Sequence, residues 1–189
     1  MKGCVIILKY HNITTDDMLN GDGLRTVLWL SGCNHHCKNC HNPITWDPQN
    51  GLEFSDEAVA ELIEKLKPDY ISGLTISGGD PLYPDNRGDL LRFLVTSRML
   101  NRDLFEKKNI WMYTGYKWEE LISKKDLDPK NYNRSQMYKI LTFIDVLVDG
   151  EYKEDLSNNN YHWAGSTNQR VIDVQKSIRK GEVVIYESN

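Results

Sequence analysis

The chain has 189 residues, of which 40% are hydrophobic, and this is enough for one ordinary globular domain with its own core. Its 23 basic and 27 acidic residues give a formal net charge of −4 and form no basic block that would follow a phosphate backbone. The apolar run at residues 5–8 is too short for a signal peptide or a membrane span. We therefore expect a single domain over residues 1–189 that uses neither nucleic acid nor a membrane as its partner.

Strand-like and helical patterns alternate from about residue 25 onward. Residues 25–30 are a short apolar run ending at Ser31 and Gly32, which predicts a buried strand. Ser55, followed by two acidic residues, predicts the start of a helix, and Pro68 lies just past its end. Apolar residues recur along this segment at the spacing of one helical face: Val59, Leu62, Ile63 and Leu66.

Three more strands are predicted at residues 74–77, 110–114 and 143–148, each followed by glycine or by Asp-Gly. Helices separate them, a short one near Trp118 and a longer one with an inner face at four apolar positions. These positions are Leu90, Leu91, Leu94 and Val95. Residues 126–136, rich in Asp, Lys and Asn, are interpreted as a surface excursion. Repeated βα units argue for a parallel sheet, so the predicted fold class is α/β.

Three cysteines, Cys33, Cys37 and Cys40, follow the first predicted strand in a C-x3-C-x2-C run. Thiolate ligands favour an iron–sulfur cluster, zinc or Cu(I), and three of them on one loop can converge on a metal. A cubane cluster needs four ligands, so three cysteines leave one iron open, as a catalytic metal centre requires. The alternative is a structural zinc site whose fourth ligand is one of three nearby histidines: His35, His36 or His41.

The cysteine spacing also bears on disulfides and on the compartment. Three of the four cysteines lie within eight residues, where mutual pairing would strain the chain and leave one thiol over. A reducing, cytoplasmic setting is therefore the simpler interpretation. Cys4 matches no ligand position and stands in an apolar run, so we interpret it as a buried core thiol.

Short motifs along most of the chain accompany the cysteine run. They are Gly21-Asp22-Gly23-Leu24-Arg25, His41-Asn42-Pro43 with Trp46, Ser77-Gly78-Gly79-Asp80-Pro81-Leu82, Tyr113-Thr114-Gly115-Tyr116, Val148-Asp149-Gly150 and Gly165-Ser166-Thr167-Asn168-Gln169-Arg170. In this order, from Asn20 onward, the chain resembles the radical S-adenosylmethionine superfamily. Within it, the chain resembles the activating enzymes of glycyl-radical proteins, most closely the activases of anaerobic ribonucleoside-triphosphate reductase. A zinc module has no reason to carry Gly-Gly-Asp-Pro after its second strand, so the resemblance favours a [4Fe–4S] cluster.

The resemblance implies a second ligand, S-adenosylmethionine, bound beside the cluster. The residues implied as its contacts are Asn39, Cys40, His41, Gly78, Gly79, Asp80, Thr114, Asp149, Asn168 and Arg170. We expect the two glycines to let backbone groups reach its amino group, Asp149 to accept a ribose hydroxyl, and Asn168 and Arg170 to hold the adenosine and the methionyl carboxylate. Many family members carry aromatic residues at positions 39 and 41, so adenine contacts in this chain would come mainly from backbone. Ordinary turn or surface roles are the alternative for these residues.

The implied activity is an oxidoreductase reaction that needs no general base. A one-electron donor such as flavodoxin reduces the cluster, S-adenosylmethionine is cleaved, and the resulting 5′-deoxyadenosyl radical takes a hydrogen atom from a glycine Cα. The implied partner is the large subunit of anaerobic, class III ribonucleoside-triphosphate reductase. The alternatives are an activase of pyruvate formate-lyase type, a radical enzyme acting on a small metabolite and, more distantly, a structural zinc-binding interaction module.

The implied fold is an incomplete (β/α)6-type partial barrel of about six parallel strands, with the cysteines at the mouth formed by the carboxyl ends of the strands. A full (β/α) barrel takes about 250 residues, more than this chain has. An open mouth would admit a loop of another protein as the substrate.

Overall fold

Seven strands form one mixed sheet in the computed structural model, which describes residues 8–128, 130–158, 160 and 162–188. The strands are β1 (Lys9–Asp17), β2 (Leu24–Leu30), β3 (Leu52–Glu53), β4 (Ile71–Gly78), β5 (Asn109–Tyr113), β6 (Val146–Asp149) and β7 (Arg170–Asp173). Their order in the sheet is β3-β1-β2-β4-β5-β6-β7, so the sheet has two open edges and does not close. Cys4 lies outside the described residues, so its burial stays a prediction.

Helices occupy most of the connections between the strands. They are α1 (Asp56–Leu66), α2 (Arg87–Leu100), α3 (Arg102–Lys107), α4 (Trp118–Leu121), α5 (Lys124–Leu127), α6 (Gln136–Leu141) and α7 (Val174–Lys180), with 3-10 turns at Pro43–Thr45 and Glu154–Leu156. Ser55 caps α1 as predicted, because its Oγ accepts a hydrogen bond from Ala58 N at 3.4 Å. In the part of the chain that the structure describes, no helix has both the length and the apolar character that a membrane crossing requires.

The local sequence patterns are confirmed for most of these elements. β2 covers the predicted strand at residues 25–30, β4 contains residues 74–77, and β5 ends one residue before the predicted strand at 110–114. The strand predicted at residues 143–148 is shorter, because the chain is still turning out of α6 at Phe143 and β6 begins only at Val146.

The inner face of α2 differs from the prediction at one position. Val95 is 37% exposed, so its assignment to the inner face was wrong. The buried positions follow the i, i+3, i+4, i+7 spacing from Leu90 and are Leu90, Phe93, Leu94 and Ser97. Phe93 and Ser97 are therefore buried at positions that the pattern of aliphatic residues did not predict.

Four neighbouring strands, β2, β4, β5 and β6, pair in parallel, so the expectation of about six parallel strands was wrong. β1 pairs antiparallel with β2 because only residues 18–23 join them, too few for a crossover connection. β7 pairs antiparallel with β6, and the described residues between these two strands form no α-helix. The α/β class is confirmed, with antiparallel strands added at both sides of a parallel centre.

The surface excursion predicted at residues 126–136 contains a buried acid. Asp126 is 4% exposed, which corrects the expectation that this whole segment lies at the surface. Its carboxylate accepts hydrogen bonds from Ser123 Oγ and from Ser135 N, each at 2.6 Å. Because a buried charge is tolerated when it is hydrogen-bonded, Asp126 can tie the start of α5 to the start of α6.

The main core lies between the sheet and the helices. It includes Leu28, Leu30, Leu74, Ile76, Ile110 and Met112 from the strands with Leu62, Leu66, Leu90, Phe93, Trp118 and Ile140 from the helices. A smaller cluster contains Trp111, Val146, Val148, Ala164 and Val171. The strand residues of the two clusters alternate along β5 and β6, as expected for opposite faces of one sheet.

Arg25, from the Gly21–Arg25 motif, is fully buried and has a structural role. Its guanidinium donates to Thr75 Oγ1 at 3.1 Å and to Leu74 O at 2.6 Å, and it lies 5.6 Å from the ring centre of Trp111. Burial lowers the pKa of Arg25 to about 10, so the side chain keeps its charge at neutral pH. The motif therefore helps to join β2 to β4 and to the smaller cluster.

Candidate functional site

The three cysteines lie on the loop after β2, at the edge where β4, β5 and β6 also end. Because these four strands are parallel, their carboxyl ends meet on one side of the sheet. β7 is antiparallel and begins at the same edge, which brings Asn168 and Arg170 there. The residues that follow the parallel strands are Gly79 and Asp80 after β4, Thr114 and Gly115 after β5, and Gly150 and Glu151 after β6. The fold thus gathers the predicted site residues at one edge.

We call residues 31–42 the cysteine loop. Its backbone hydrogen bonds include Gly32 N to Thr45 O (2.8 Å), Cys33 N to Trp46 O (3.0 Å) and Cys40 N to Cys37 O (3.1 Å). His36 and Asn39 have φ angles of 49° and 55°, in the left-handed region where the chain turns back sharply. One such turn falls in each interval between successive cysteines, so the loop is short and compact.

The three cysteines of the loop are free and partly buried. Burial raises the pKa of Cys33 to about 11 and also raises the pKa of Cys37, so a bound metal must displace protons from these thiols. Asn42 N donates a hydrogen bond to Cys40 Sγ at 3.4 Å. Among the described residues, no group of three or more His, Cys, Asp or Glu side chains, the three cysteines included, is arranged to hold one metal ion. As a donor set, three free thiols fit a [4Fe–4S] cluster with one open iron.

His35 lies within the cysteine loop and binds two carboxylates. Its Nε2 lies 2.8 Å from Asp80 Oδ2, and its Nδ1 lies 2.9 Å from Glu151 Oε1. These hydrogen bonds, above all the one to Asp80, raise the pKa of His35 to about 9 although burial lowers it. Each ring nitrogen thus faces a carboxylate oxygen, so neither nitrogen of His35 is free for a zinc ion in this structure.

The other two histidines considered for zinc contact aromatic rings. His36 lies edge-on to Trp46 with ring centres 4.7 Å apart, and His41 lies edge-on to Tyr152 at 5.7 Å. Both histidines are exposed. Within the described ranges, none of the three histidines joins the cysteines in a four-ligand metal site.

Asp80 is the centre of a buried hydrogen-bond network and is 1% exposed. Its Oδ1 accepts from Leu82 N at 2.8 Å and from Thr114 Oγ1 at 2.9 Å. Its Oδ2 accepts from Gly115 N at 2.9 Å and from His35 Nε2 at 2.8 Å. Both oxygens are therefore used within the protein, and the Thr114 hydroxyl has Asp80 as its acceptor. The contacts of Asp80 and Thr114 with S-adenosylmethionine stay predictions.

The backbone of the neighbouring strand and loop packs against Gly78 and Gly79, so neither position has room for a side chain. A Cβ on Gly78 would lie 2.4 Å from Leu30 O, and a Cβ on Gly79 would lie 2.5 Å from Gly32 O. Gly79 N is already used, since it donates to Leu30 O at 2.8 Å. No donor in the described residues reaches the carbonyl oxygen of Gly79, which leaves it available to a ligand amino group.

Asp149 and Arg170, predicted as ribose and carboxylate contacts, bind each other. Arg170 Nε donates to Asp149 Oδ1 at 3.0 Å, Arg170 Nη2 donates to Oδ2, and Trp118 N also donates to Oδ2 at 2.7 Å. Glu119 accepts from Nη1 and Nη2 of Arg170 at 3.0 and 2.9 Å. The two carboxylates raise the pKa of Arg170, which in turn lowers the pKa of Glu119. A ligand would have to replace some of these bonds.

The remaining predicted contacts lie near the rim of this edge. Asn168 Nδ2 donates to Glu151 O at 2.9 Å, whereas its Oδ1 is buried and has no partner among the described residues. Asn39 is exposed, and its side chain donates to Glu154. A buried acceptor without a partner is uncommon, so Asn168 has an atom that a bound ligand could satisfy.

The charged residues that hold this edge together are not evident from local sequence patterns. The cysteine spacing suggests His35 only as a zinc ligand, and no motif contains Glu119 or Glu151. Glu151 directly follows the strand-end pair Asp149-Gly150, so polar residues beyond the ends of parallel strands were the available signal. The contact of His35 with Glu151 joins positions 116 residues apart, which no local pattern reveals.

Comparison with known proteins shows what the chain is similar to. A family model described as a 4Fe-4S single cluster domain matches residues 19–172, which include the three cysteines. The chain is 37% identical over 166 residues to the anaerobic ribonucleoside-triphosphate reductase-activating protein of Enterobacteria phage T4, spanning 87% of this chain and 93% of the relative. Its identity to the protein of the same name from Escherichia coli K12 is 36% over 166 residues (87% and 97%). For the Haemophilus influenzae protein it is 37% over 164 residues (86% and 96%).

Proposed function

We propose that this chain activates an anaerobic, class III ribonucleoside-triphosphate reductase. It belongs to the family of anaerobic ribonucleoside-triphosphate reductase-activating proteins. The observation that carries the proposal is the position of three free thiols on a loop at the edge where the parallel strands end. That edge is where α/β proteins place their ligands.

Cys33, Cys37 and Cys40 would hold the [4Fe–4S] cluster, and the 4Fe-4S family model that covers them supports this assignment. We propose S-adenosylmethionine as the ligand of the iron that the cysteines leave open. When bound, the cluster and S-adenosylmethionine would together supply the one-electron chemistry that removes a hydrogen atom from a glycine Cα of the reductase. The residues of this chain bind, orient and shield these groups.

Two free acceptors at the strand ends suit S-adenosylmethionine. The Gly79 carbonyl can accept from the amino group, and Asn168 Oδ1 can accept from the adenosine. The backbone at residues 39–41 borders the same edge and would contact the adenine. Asp80 and Thr114, which bind each other, would hold the ends of β4 and β5 around the ligand.

Asp149 and Arg170 would contact S-adenosylmethionine after Arg170 exchanges one of its carboxylate partners for the ligand. Glu119 is 60% exposed, so it is the partner of Arg170 that a methionyl carboxylate can replace at little cost. Asp149 is buried and would keep its bond to Arg170 Nε, which holds the guanidinium in place for the two-point contact. A ribose hydroxyl could then use the lone pairs of Asp149 that remain.

We propose that the open sheet is the partial barrel of the radical S-adenosylmethionine superfamily. Its lack of closure would leave the cysteine loop accessible to a glycine-bearing loop on the large subunit of the reductase. Contact between the two proteins would exclude water and orient the target, which matters because a primary carbon radical abstracts any nearby hydrogen. A small electron-transfer protein such as flavodoxin is the proposed reductant.

The proposal is tested with anaerobically reconstituted protein, S-adenosylmethionine, dithionite and the reductase large subunit. Electron paramagnetic resonance should show a glycyl doublet on the reductase, together with release of 5′-deoxyadenosine. Replacing the target glycine by alanine should remove the doublet, and Cys33→Ala in this chain should remove both signals. A reductase that stays radical-free while pyruvate formate-lyase acquires the doublet would assign the chain to the alternative class of activase.

A further inference from the structure

His35 joins the cysteine loop to the strand ends through a part-buried bond to Asp80 and a bond to Glu151, whose side chain is 52% exposed. The His35 side chain is 10% exposed, with Nε2 2.8 Å from Asp80 Oδ2 after β4 and Nδ1 2.9 Å from Glu151 Oε1 after β6. Its ring also lies edge-on to Tyr116 after β5, with ring centres 4.7 Å apart. One side chain of the loop therefore contacts the ends of three parallel strands.

The end of β5 leaves a space that matches this ring. A Cβ on Gly115 would lie 2.5 Å from Cδ2 and 2.6 Å from Nε2 of His35, so a larger residue at 115 would displace the imidazole. Asp80 is itself held by Thr114 Oγ1 and Gly115 N, at 2.9 Å each. The acceptor for His35 is thus oriented by other bonds and does not depend on the histidine.

The contacts that Lys38 and Asn34 of the loop make are weaker than those of His35. Lys38 Nζ pairs with Glu154 at 2.7 Å, but the Lys38 side chain is 80% exposed. Asn34 Oδ1 accepts from Tyr116 OH only at 3.4 Å. Exposed ion pairs contribute little to stability. Backbone bonds hold the start of the loop, together with the buried Ser31, whose Oγ donates to Asn50 O at 2.5 Å. Between Cys33 and Cys37, the side chain that binds residues at the strand ends through short hydrogen bonds is His35.

We infer that His35 is a positioning residue: by binding Asp80 and Glu151, it sets where Cys33 and Cys37, two residues to either side, lie relative to the Gly79 carbonyl. The inference rests on the proposed function, in which the thiols hold the cluster and Gly79 binds the amino group of S-adenosylmethionine. His35 acts through these residues and transfers no proton. Groups that orient metal ligands in this way typically change metal affinity or activity about 10–100-fold when they are removed.

The test compares the reconstituted full chain as wild type, His35→Ala and His35→Gln. The measurements are iron and sulfide per chain, the electron paramagnetic resonance spectrum of the reduced cluster with and without S-adenosylmethionine, and the KM for S-adenosylmethionine in 5′-deoxyadenosine release. His35→Ala should retain its cluster, change the spectrum seen with S-adenosylmethionine and raise this KM about tenfold. His35→Gln, whose amide still donates to one carboxylate, should give intermediate values.

Two further variants act as matched controls. Gly115→Ala displaces the imidazole without removing it, so it should reproduce the change in spectrum and KM. His162→Ala replaces an exposed histidine outside the loop and should behave as wild type. A merely structural role for His35 would lower the number of clusters per chain but leave the spectrum and KM of the remaining clusters unchanged.

Wild-type spectra and KM values in both His35 variants would overturn the inference, as would a loss of clusters without any change in those that remain. If His35→Ala does not fold, the same comparison in His35→Gln decides. Failure of the proposed function is a separate result, in which wild-type protein cleaves S-adenosylmethionine but leaves the reductase without a glycyl radical. The spectra and KM values would still test the role of His35.

Discussion

Asp149 and Arg170 stand opposite each other where β6 ends and β7 begins, and the guanidinium binds the carboxylate through Nε and Nη2. Asp149 is 1% exposed, so its carboxylate finds its hydrogen-bond donors within the protein, in this partner and in the Trp118 N–H. The same arginine reaches the exposed Glu119. One residue therefore links a buried acid, an exposed acid and the edge that carries the candidate site.

Arg170→Ala should lower the free energy of unfolding by about 3 kcal/mol, because it leaves a buried carboxylate without its charged partner. Urea denaturation of the purified protein measures this change. Glu119→Ala is the matched control and should cost less than ~1 kcal/mol, since that carboxylate is exposed. Unchanged stability in Arg170→Ala, with weaker binding of S-adenosylmethionine, would instead make ligand binding the main role of Arg170.

Gly79→Ala should destabilise the protein by roughly 2 kcal/mol or more, because its Cβ would meet the backbone oxygens of Gly32 and Thr45 at 2.5 and 2.8 Å. Thermal or urea unfolding measures the loss. Gly88→Ala is the control: it lies in the first turn of α2 with only Gln136 Nε2 near its Cβ, at 3.8 Å, and should change the free energy of unfolding by less than about 1 kcal/mol. Equal effects of the two substitutions would contradict the packing argument.

Asp80→Asn should cost about 2 kcal/mol, because an amide nitrogen would face N–H and O–H donors that the carboxylate now accepts. The loss is again measured by unfolding. Asp85→Asn, an exposed neighbour, should stay within ~0.5 kcal/mol of wild type. If Asp80→Asn were as stable as wild type, the network around Asp80 could not be what holds the three strand ends.

Anaerobic reconstitution should load about four irons and four sulfides per chain, as expected for one cubane cluster. Cys33→Ala, Cys37→Ala and Cys40→Ala should each abolish the cluster, because each removes one of three protein ligands. Cys4→Ala should load normally and serves as the control. Iron and acid-labile sulfide analysis makes the measurement, and stoichiometric zinc without sulfide would favour the structural zinc site.

Exposure to air should remove the cluster and the activity together, since the three cysteines are only partly buried and an open iron is accessible to oxidants. Anaerobic treatment with iron and sulfide should restore both. The rate of S-adenosylmethionine cleavage, measured before and after reconstitution, reports the recovery of activity. Full activity in aerobically purified protein without iron would be incompatible with a cluster-dependent reaction.

Local patterns in the sequence predict the elements that are continuous and apolar. β2, α1 and β4 follow from their periodicity, and Ser55 marks the start of α1. β1 and β7 do not follow in the same way, because β1 is largely polar and β7 has four residues. Their antiparallel pairing depends on which strand each connection can reach, and this is a property of the assembled sheet.

The candidate site divides in a similar way. The sequence by itself determined the C-x3-C-x2-C run and the family resemblance, since ligand spacing on one loop is a local property. Only the tertiary structure decided that Asp149 binds Arg170 and that His35 binds Asp80 and Glu151. The members of these pairs are distant in the chain. They meet only when the fold brings the carboxyl ends of the parallel strands, the cysteine loop and the start of antiparallel β7 to one edge of the sheet.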